Sequence, residues 1–125
     1  MEAPVIVGVG LDVVGVERAA RLLARHGQRL LDRCFVPEEI ARPRDPEHLA
    51  GLLAAKEAAF KALGCGWGAR VGWRDATVAR DASGAPRLEL GGEAAALAGS
   101  RGARTWHLSI THAAGVAIAV VILED

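Results

Sequence analysis

From residue 5 to residue 14 the segment VIVGVGLDVV alternates two kinds of position: Val5, Val7, Val9, Leu11 and Val13 share one face, while Ile6, Gly8, Gly10, Asp12 and Val14 share the other. The period of two predicts a strand. From residue 17 to about 33, leucines and alanines recur at helical spacing among arginines, with Gly27 as a candidate break. Pro37, Pro43 and Pro46 mark a loop, inside which PEEIA reads as a short helical turn. Residues 47–63 predict the main helix, closed by Gly64 and Gly66 where a C-cap glycine belongs. Residues 76–80 and 87–90 flank DASGAP as a hairpin, and 93–98 predict a short alanine-rich helix. Two closing strands, 105–112 and 116–123, meet through a tight turn at 113–115. The order β-α-α-β-β-α-β-β predicts an α+β fold: a single domain over residues 1–125, with an antiparallel sheet packed against the long helix.

Composition narrows what such a domain does. About half of the 125 residues are apolar, enough for one compact core. They are spread over short runs, none near the roughly 18 apolar residues of a membrane span. The start MEAPVIVGVG lacks the basic segment of a signal peptide, so a cytoplasmic location is expected. A formal charge of zero argues against a nucleic-acid binder that relies on overall basicity. Cys34 and Cys65 lack the close spacing of a zinc or redox motif and read as small buried thiols. The positive charge is carried by thirteen arginines and only two lysines, Lys56 and Lys61, which bracket Glu57. A lysine offers a compact point charge where arginine offers a planar fork, so its use here is a clue.

On a helical wheel Lys56 falls inside the arc formed by Leu49, Leu52, Leu53, Phe60 and Leu63, with Glu57 at its edge and Lys61 one turn beyond. Either Glu57 and Lys61 form a surface i,i+4 pair while Lys56 snorkels to water, or both ammonium groups face an anion and Glu57 faces a metal or a hydroxyl proton. Asp12 is unusual in a strand, and its same-face neighbours Gly8 and Gly10 have no side chains, which suggests open space beside a carboxylate. It either caps the next helix or joins Glu57 in holding a hard divalent cation on a phosphate. The dinucleotide fingerprint GxGxxG fails, because GVGLDV has no third glycine. His112, at the end of TWHLSITH, is a turn hydrogen-bonder or a ligand, and its spacing from His107 fits no metal site. Arg18, Arg21, Arg25 and Arg29 stand at i, i+3, i+7 and i+11 and form one basic stripe, either a solvated face or a docking surface.

GVGLDVV, LAAKEAAFKALG and LSITHAAGVAIAVVILE, in that order and with RCFVPEEI and the segment from Gly72 to Asp75 between them, resemble the holo-acyl-carrier-protein synthases, the short 4′-phosphopantetheinyl transferases. The resemblance implies transfer of 4′-phosphopantetheine from coenzyme A to a serine of an acyl carrier protein, Mg²⁺ as cofactor, and a homotrimer with active sites between subunits. It makes Asp12 and Glu57 metal ligands, Lys56 and Lys61 phosphate contacts, and Gly64, Ser109 and His112 part of the nucleotide site. The arginine stripe becomes the dock for an acidic carrier protein of fatty-acid or polyketide synthesis. The chain departs from the family where Leu52 replaces a common arginine, with Arg42 or Arg44 as substitutes, and where Gly15 and Ala113 replace acidic residues. A hydrolase of nucleotide diphosphates and a non-catalytic carrier-protein-binding module are the alternatives.

Overall fold

The computed structural model describes residues 2–41, 45–65 and 71–125. The expected contributions of Gly66, Arg42 and Arg44 lie outside the described residues. Strand β1 (Ile6–Gly15) leads through helices α1 (Val16–His26) and α2 (Gln28–Cys34) and a 3-10 turn (Pro37–Ile40) to helix α3 (Pro46–Leu63). After a second 3-10 turn (Trp73–Asp75) come strands β2 (Ala76–Arg80) and β3 (Pro86–Leu90), helix α4 (Gly92–Ser100), and strands β4 (Thr105–Ala113) and β5 (Val116–Glu124). β5 runs antiparallel between β1 and β4, while β2 and β3 form a separate two-stranded hairpin. The α+β reading and the antiparallel sheet on a long helix hold.

Helix α3 is the centre of the molecule. Asp45 caps its start by accepting from the Glu47 N–H at 3.0 Å, Pro46 occupies the first turn, and Gly64 ends it with φ 74°. Alanine makes up much of the helix, and only the side chains near its ends and at Glu57 and Phe60 escape full burial. Small side chains let the sheet lie close. A Cβ on Gly10 would overlap the Ala58 carbonyl oxygen, and one on Gly8 would overlap that of Ala62. The two glycines therefore bring strand and helix backbones together; the open space expected beside Asp12 is filled by helix backbone. Ala117, Ala119, Val121 and Leu123 of β5 complete that buried face.

The other face of β1 points outward. Val9, Leu11 and Val13 are 57%, 56% and 53% exposed, although they are the apolar half of the alternation. The side of the strand that carries glycine and aspartate is the buried one, because only that side fits against α3.

The basic stripe is interrupted. Gly27, at φ 53° and ψ −128°, ends α1 at His26, and its N–H returns to Leu23 O at 2.8 Å. Arg18, Arg21 and Arg25 belong to α1, whereas Arg29 sits on α2 beyond the break, so the four do not form one helical row. All four are exposed. Among the described residues no helix is long and apolar enough to cross a membrane.

Candidate active site

Asp12 enters from β1, opposite Ala119 of β5, on the face that packs on α3. It caps no helix: the residue before α1 is Gly15, and α1 has no side-chain cap. Asp12 is only 8% exposed, and its Oδ1 accepts from Lys61 Nζ at 2.9 Å, while the same ammonium also donates to Leu11 O at 3.0 Å. Lys61 thus bridges strand and helix rather than pairing with Glu57 along the helix surface. Its ammonium is held above the usual lysine range, first by the hydrogen bond it donates to Asp12.

One turn earlier on α3, Glu57 reaches the same place. Its carboxyl is pushed up, first by burial, then by the charge of Asp12 and a hydrogen bond shared with it, while Arg18 and Lys61 pull it down. Two neighbouring carboxylates repel, and a cation between them would relieve that repulsion. The second Asp12 oxygen, Oδ2, is buried with no hydrogen-bond partner. A buried acceptor left unbonded is unusual and calls for a cation or a bound group. The donors are hard oxygens and suit Mg²⁺, which often takes one or two carboxylates and completes its shell with water and substrate phosphate. Among the described residues no three His, Cys, Asp or Glu side chains cluster as a metal site, which leaves Asp12 and Glu57 as a two-carboxylate site. The residues fit the cation that the family resemblance implies.

Beside Glu57 a cavity of about 250 Å³ opens, lined by Val14, Leu22, Leu30 and Leu53, with Arg18 and Trp73 at its walls. Its polar lining is the Glu57 carboxyl, the Arg18 and Arg33 guanidinium groups, the His26 ring and the Cys34 thiol. Sequence reasoning missed this pocket, since its walls come from β1, α1, α2, α3 and a 3-10 turn.

Lys56 requires a correction. It is fully buried, and the anion it faces is a carboxylate of its own chain, not a phosphate or solvent. Its Nζ donates to Glu39 Oε1 at 2.9 Å, Trp73 O at 3.0 Å and Ala76 O at 2.7 Å, which uses all three ammonium donors. Burial pushes its pKa down, and the Glu39 carboxylate opposes that shift. A lysine so enclosed has no proton left for a phosphate. Its partner Glu39, 5% exposed, went unnoticed because it lies in the short turn of RCFVPEEI, 17 positions away.

The remaining expected groups lie elsewhere on the chain. Ser109 of β4 is paired with Val120 of β5, which in turn is paired with Leu11, so it stands on the outer face of the sheet, opposite to Asp12. His112 contacts the start of α3, its Nε2 3.1 Å from Glu47 O. Ten residues of helix separate Glu47 from Glu57, a rise of about 15 Å. Gly64 ends α3 one turn after Lys61, and the Arg101 guanidinium lies over it, so that a Cβ there would come 2.9 Å from the guanidinium carbon. Asp12, Glu57 and Lys61 are brought together; Ser109 and His112 of the same chain are not. Cys34 is buried, and Cys65 is partly so.

Known proteins resemble this chain over nearly its whole length. Residues 8–121 match the family model described as the 4′-phosphopantetheinyl transferase superfamily. The holo-[acyl-carrier-protein] synthase of Beutenbergia cavernae is 50% identical over 119 residues, covering 95% of this chain and 98% of that protein. The crystal structure of the Neisseria meningitidis holo-[acyl-carrier-protein] synthase superposes with a TM-score of 0.87 at 30% identity, covering 97% of this chain and all of that one. The Helicobacter pylori holo-[acyl-carrier-protein] synthase, solved in complex with coenzyme A, gives a TM-score of 0.83 at 31% identity over 92% of this chain and 98% of that one. With this match and the Asp12, Glu57 and Lys61 cluster, the chain belongs to the 4′-phosphopantetheinyl transferase superfamily, among the enzymes of the holo-[acyl-carrier-protein] synthase kind.

Proposed function

We propose that this chain transfers 4′-phosphopantetheine from coenzyme A to a serine of an apo-acyl carrier protein, releasing adenosine 3′,5′-bisphosphate, as one cytoplasmic domain over residues 1–125. The observation that carries the reading is the buried Asp12 carboxylate, tied by Oδ1 to Lys61 with Oδ2 unbonded, and near enough to Glu57 for their charges to interact. The names of its relatives and the coenzyme A complex of the Helicobacter pylori enzyme support the substrate pair.

In the reaction the serine oxygen bonds to the β-phosphorus of coenzyme A, the bond from that phosphorus to the bridging oxygen breaks, and the bridging oxygen leaves with the nucleotide. Asp12 and Glu57 would hold Mg²⁺, which when bound supplies positive charge to the diphosphate oxygens and to the leaving nucleotide. Lys61, exposed on its outer side and anchored to Asp12, is placed to meet a phosphate oxygen. In this reading Glu57, beside the cation it would help to hold, is the carboxylate that takes the serine proton. Arg18, Arg21 and Arg25 on α1 present exposed charge to an acidic carrier protein, with Arg29 offering a separate contact from α2. Lys56 has no part in phosphate binding.

The working state in this reading is a homotrimer. The exposed apolar strand face of Val9, Leu11 and Val13 supports it, as does the distance of Ser109 and His112 from Asp12 within one chain: a neighbouring copy would supply them to the nucleotide. Chromatography of the nucleotide products tests the reaction. Adenosine 3′,5′-bisphosphate should appear only when coenzyme A, Mg²⁺ and apo-carrier protein are all present. Release at the same rate without carrier protein would instead identify a hydrolase.

A further inference from the structure

The bonds of Lys56 tie together the pieces of chain that wall the cavity beside Glu57. Its ammonium holds both ends of the Trp73–Asp75 turn region, through Trp73 O at 3.0 Å and Ala76 O at 2.7 Å. Its third bond goes to Glu39 Oε1, and Glu39 in turn accepts from Val36 N at 3.0 Å and from Val78 N at 2.9 Å. One buried pair therefore joins α3, the segment after α2, and the corner that carries Trp73 into β2. The Phe35 ring lies below the ammonium, 5.2 Å from its nitrogen. The Trp73 ring packs edge-on against Phe60, with centroids 5.4 Å apart, and forms one wall of the cavity that Glu57 and Arg18 share.

This arrangement explains why the residue is one of only two lysines in a chain with thirteen arginines. Three acceptors converge on a point, which suits a compact ammonium with three donors; a planar guanidinium with five would leave some unbonded. Stability alone does not explain the pair, since a buried ion pair replaced by apolar groups of similar size is often no less stable. What apolar groups cannot supply is a directed hold on the Trp73 and Ala76 carbonyls.

We propose that Lys56 is a positioning residue for the transfer, which fixes through Glu39 and the Trp73 carbonyl the wall of the cavity against which the acceptor is seated. This rests on the reading that Glu57 belongs to the reaction site. The acceptor side is singled out because the cavity is bounded by Arg18 and Leu22 of α1, the helix that carries the exposed arginines Arg21 and Arg25.

The test is the double variant Lys56→Met with Glu39→Gln, which removes both buried charges and leaves an amide oxygen for the Val78 N–H. Wild type must first transfer phosphopantetheine; if it does not, the underlying reading fails and not this one. The folded double variant should lose at least tenfold in kcat/KM for carrier protein, while its KM for coenzyme A stays within about twofold of wild type. In a background carrying Trp67→Phe and Trp106→Phe, acrylamide should quench the remaining Trp73 more strongly once the pair is removed. A cooperative melt with wild-type kinetics and unchanged quenching would reduce Lys56 to a core residue and overturn the proposal. A matching loss toward both substrates would overturn it too. Trp73→Leu, which leaves the lysine bonds to backbone intact, is the second arm should the double variant not fold. It should give the same one-sided loss, and normal kinetics there would show that the wall does not matter.

Discussion

Glu57 and Asp12 lie near enough for their charges to interact, and two neighbouring carboxylates repel unless a proton or a cation lies between them. The Glu57 carboxyl is held above its ordinary value of 4.5, so just above that pH the folded, metal-free chain binds more protons than the unfolded one. Its stability should therefore fall as pH rises through that window. Melting curves in a chelator should show this fall, and Glu57→Gln should flatten it and raise the neutral-pH melting temperature while abolishing any gain from added Mg²⁺. Stability that climbs with pH over the same range would contradict that interaction. Each of Asp12→Ala and Glu57→Gln should also lower kcat by on the order of 10² or more, as loss of preorganised charge does elsewhere. Asp12 and Glu57 were legible in the sequence because each breaks an apolar pattern. Lys56 was legible as a charge inside the buried arc, but its purpose was not: the partner that decides it, Glu39, is brought near only by the fold.

At the scale of elements, the close approach of β1 and α3 places Asp12 beside Lys61. Gly10→Ala should force the two backbones apart at the Ala58 carbonyl, cost about 1–3 kcal/mol as overpacking does, and depress transfer by parting the carboxylates. Gly99→Ala is the matched control: nothing lies within 4 Å of that site in α4, so a gain of about 0.5–1 kcal/mol is expected, read by denaturant midpoint. The β4–β5 turn holds Ala114 at φ 52° ahead of Gly115 at φ 78°, a pair of left-handed residues that suits asparagine and glycine. Ala114→Asn should stabilise by about 0.5–1 kcal/mol without altering kinetics. Strand and helix periods were plain in the sequence, since alternation and helical spacing are local. Which side of β1 is buried was not, because that depends on glycines facing a helix remote in sequence. The basic stripe was misdrawn for a related reason: Gly27 was visible as a break, but a helical wheel continued through it keeps Arg29 in line with Arg18.

Across the whole molecule, the apolar outer face of β1 calls for a covering partner, and a second and third copy of the chain are the occupants we propose. Val9→Asp adds a charge to that face without touching the buried side, so it should give a folded, inactive monomer by sedimentation; a fully active monomer would refute a shared site. Reversing Arg21 and Arg25 to glutamate should raise KM for carrier protein, leave that for coenzyme A nearly unchanged, and remove most of the salt dependence that steering over a Debye length of about 8 Å predicts. The measurement that bears most directly on the central claim is the intact mass of an apo-acyl carrier protein after incubation with coenzyme A, Mg²⁺ and either wild type or Asp12→Ala. The wild-type chain should add one phosphopantetheine to nearly all of the carrier protein and the variant almost none in the same time. A carrier protein left unmodified by wild type, or modified equally by both, would contradict the account.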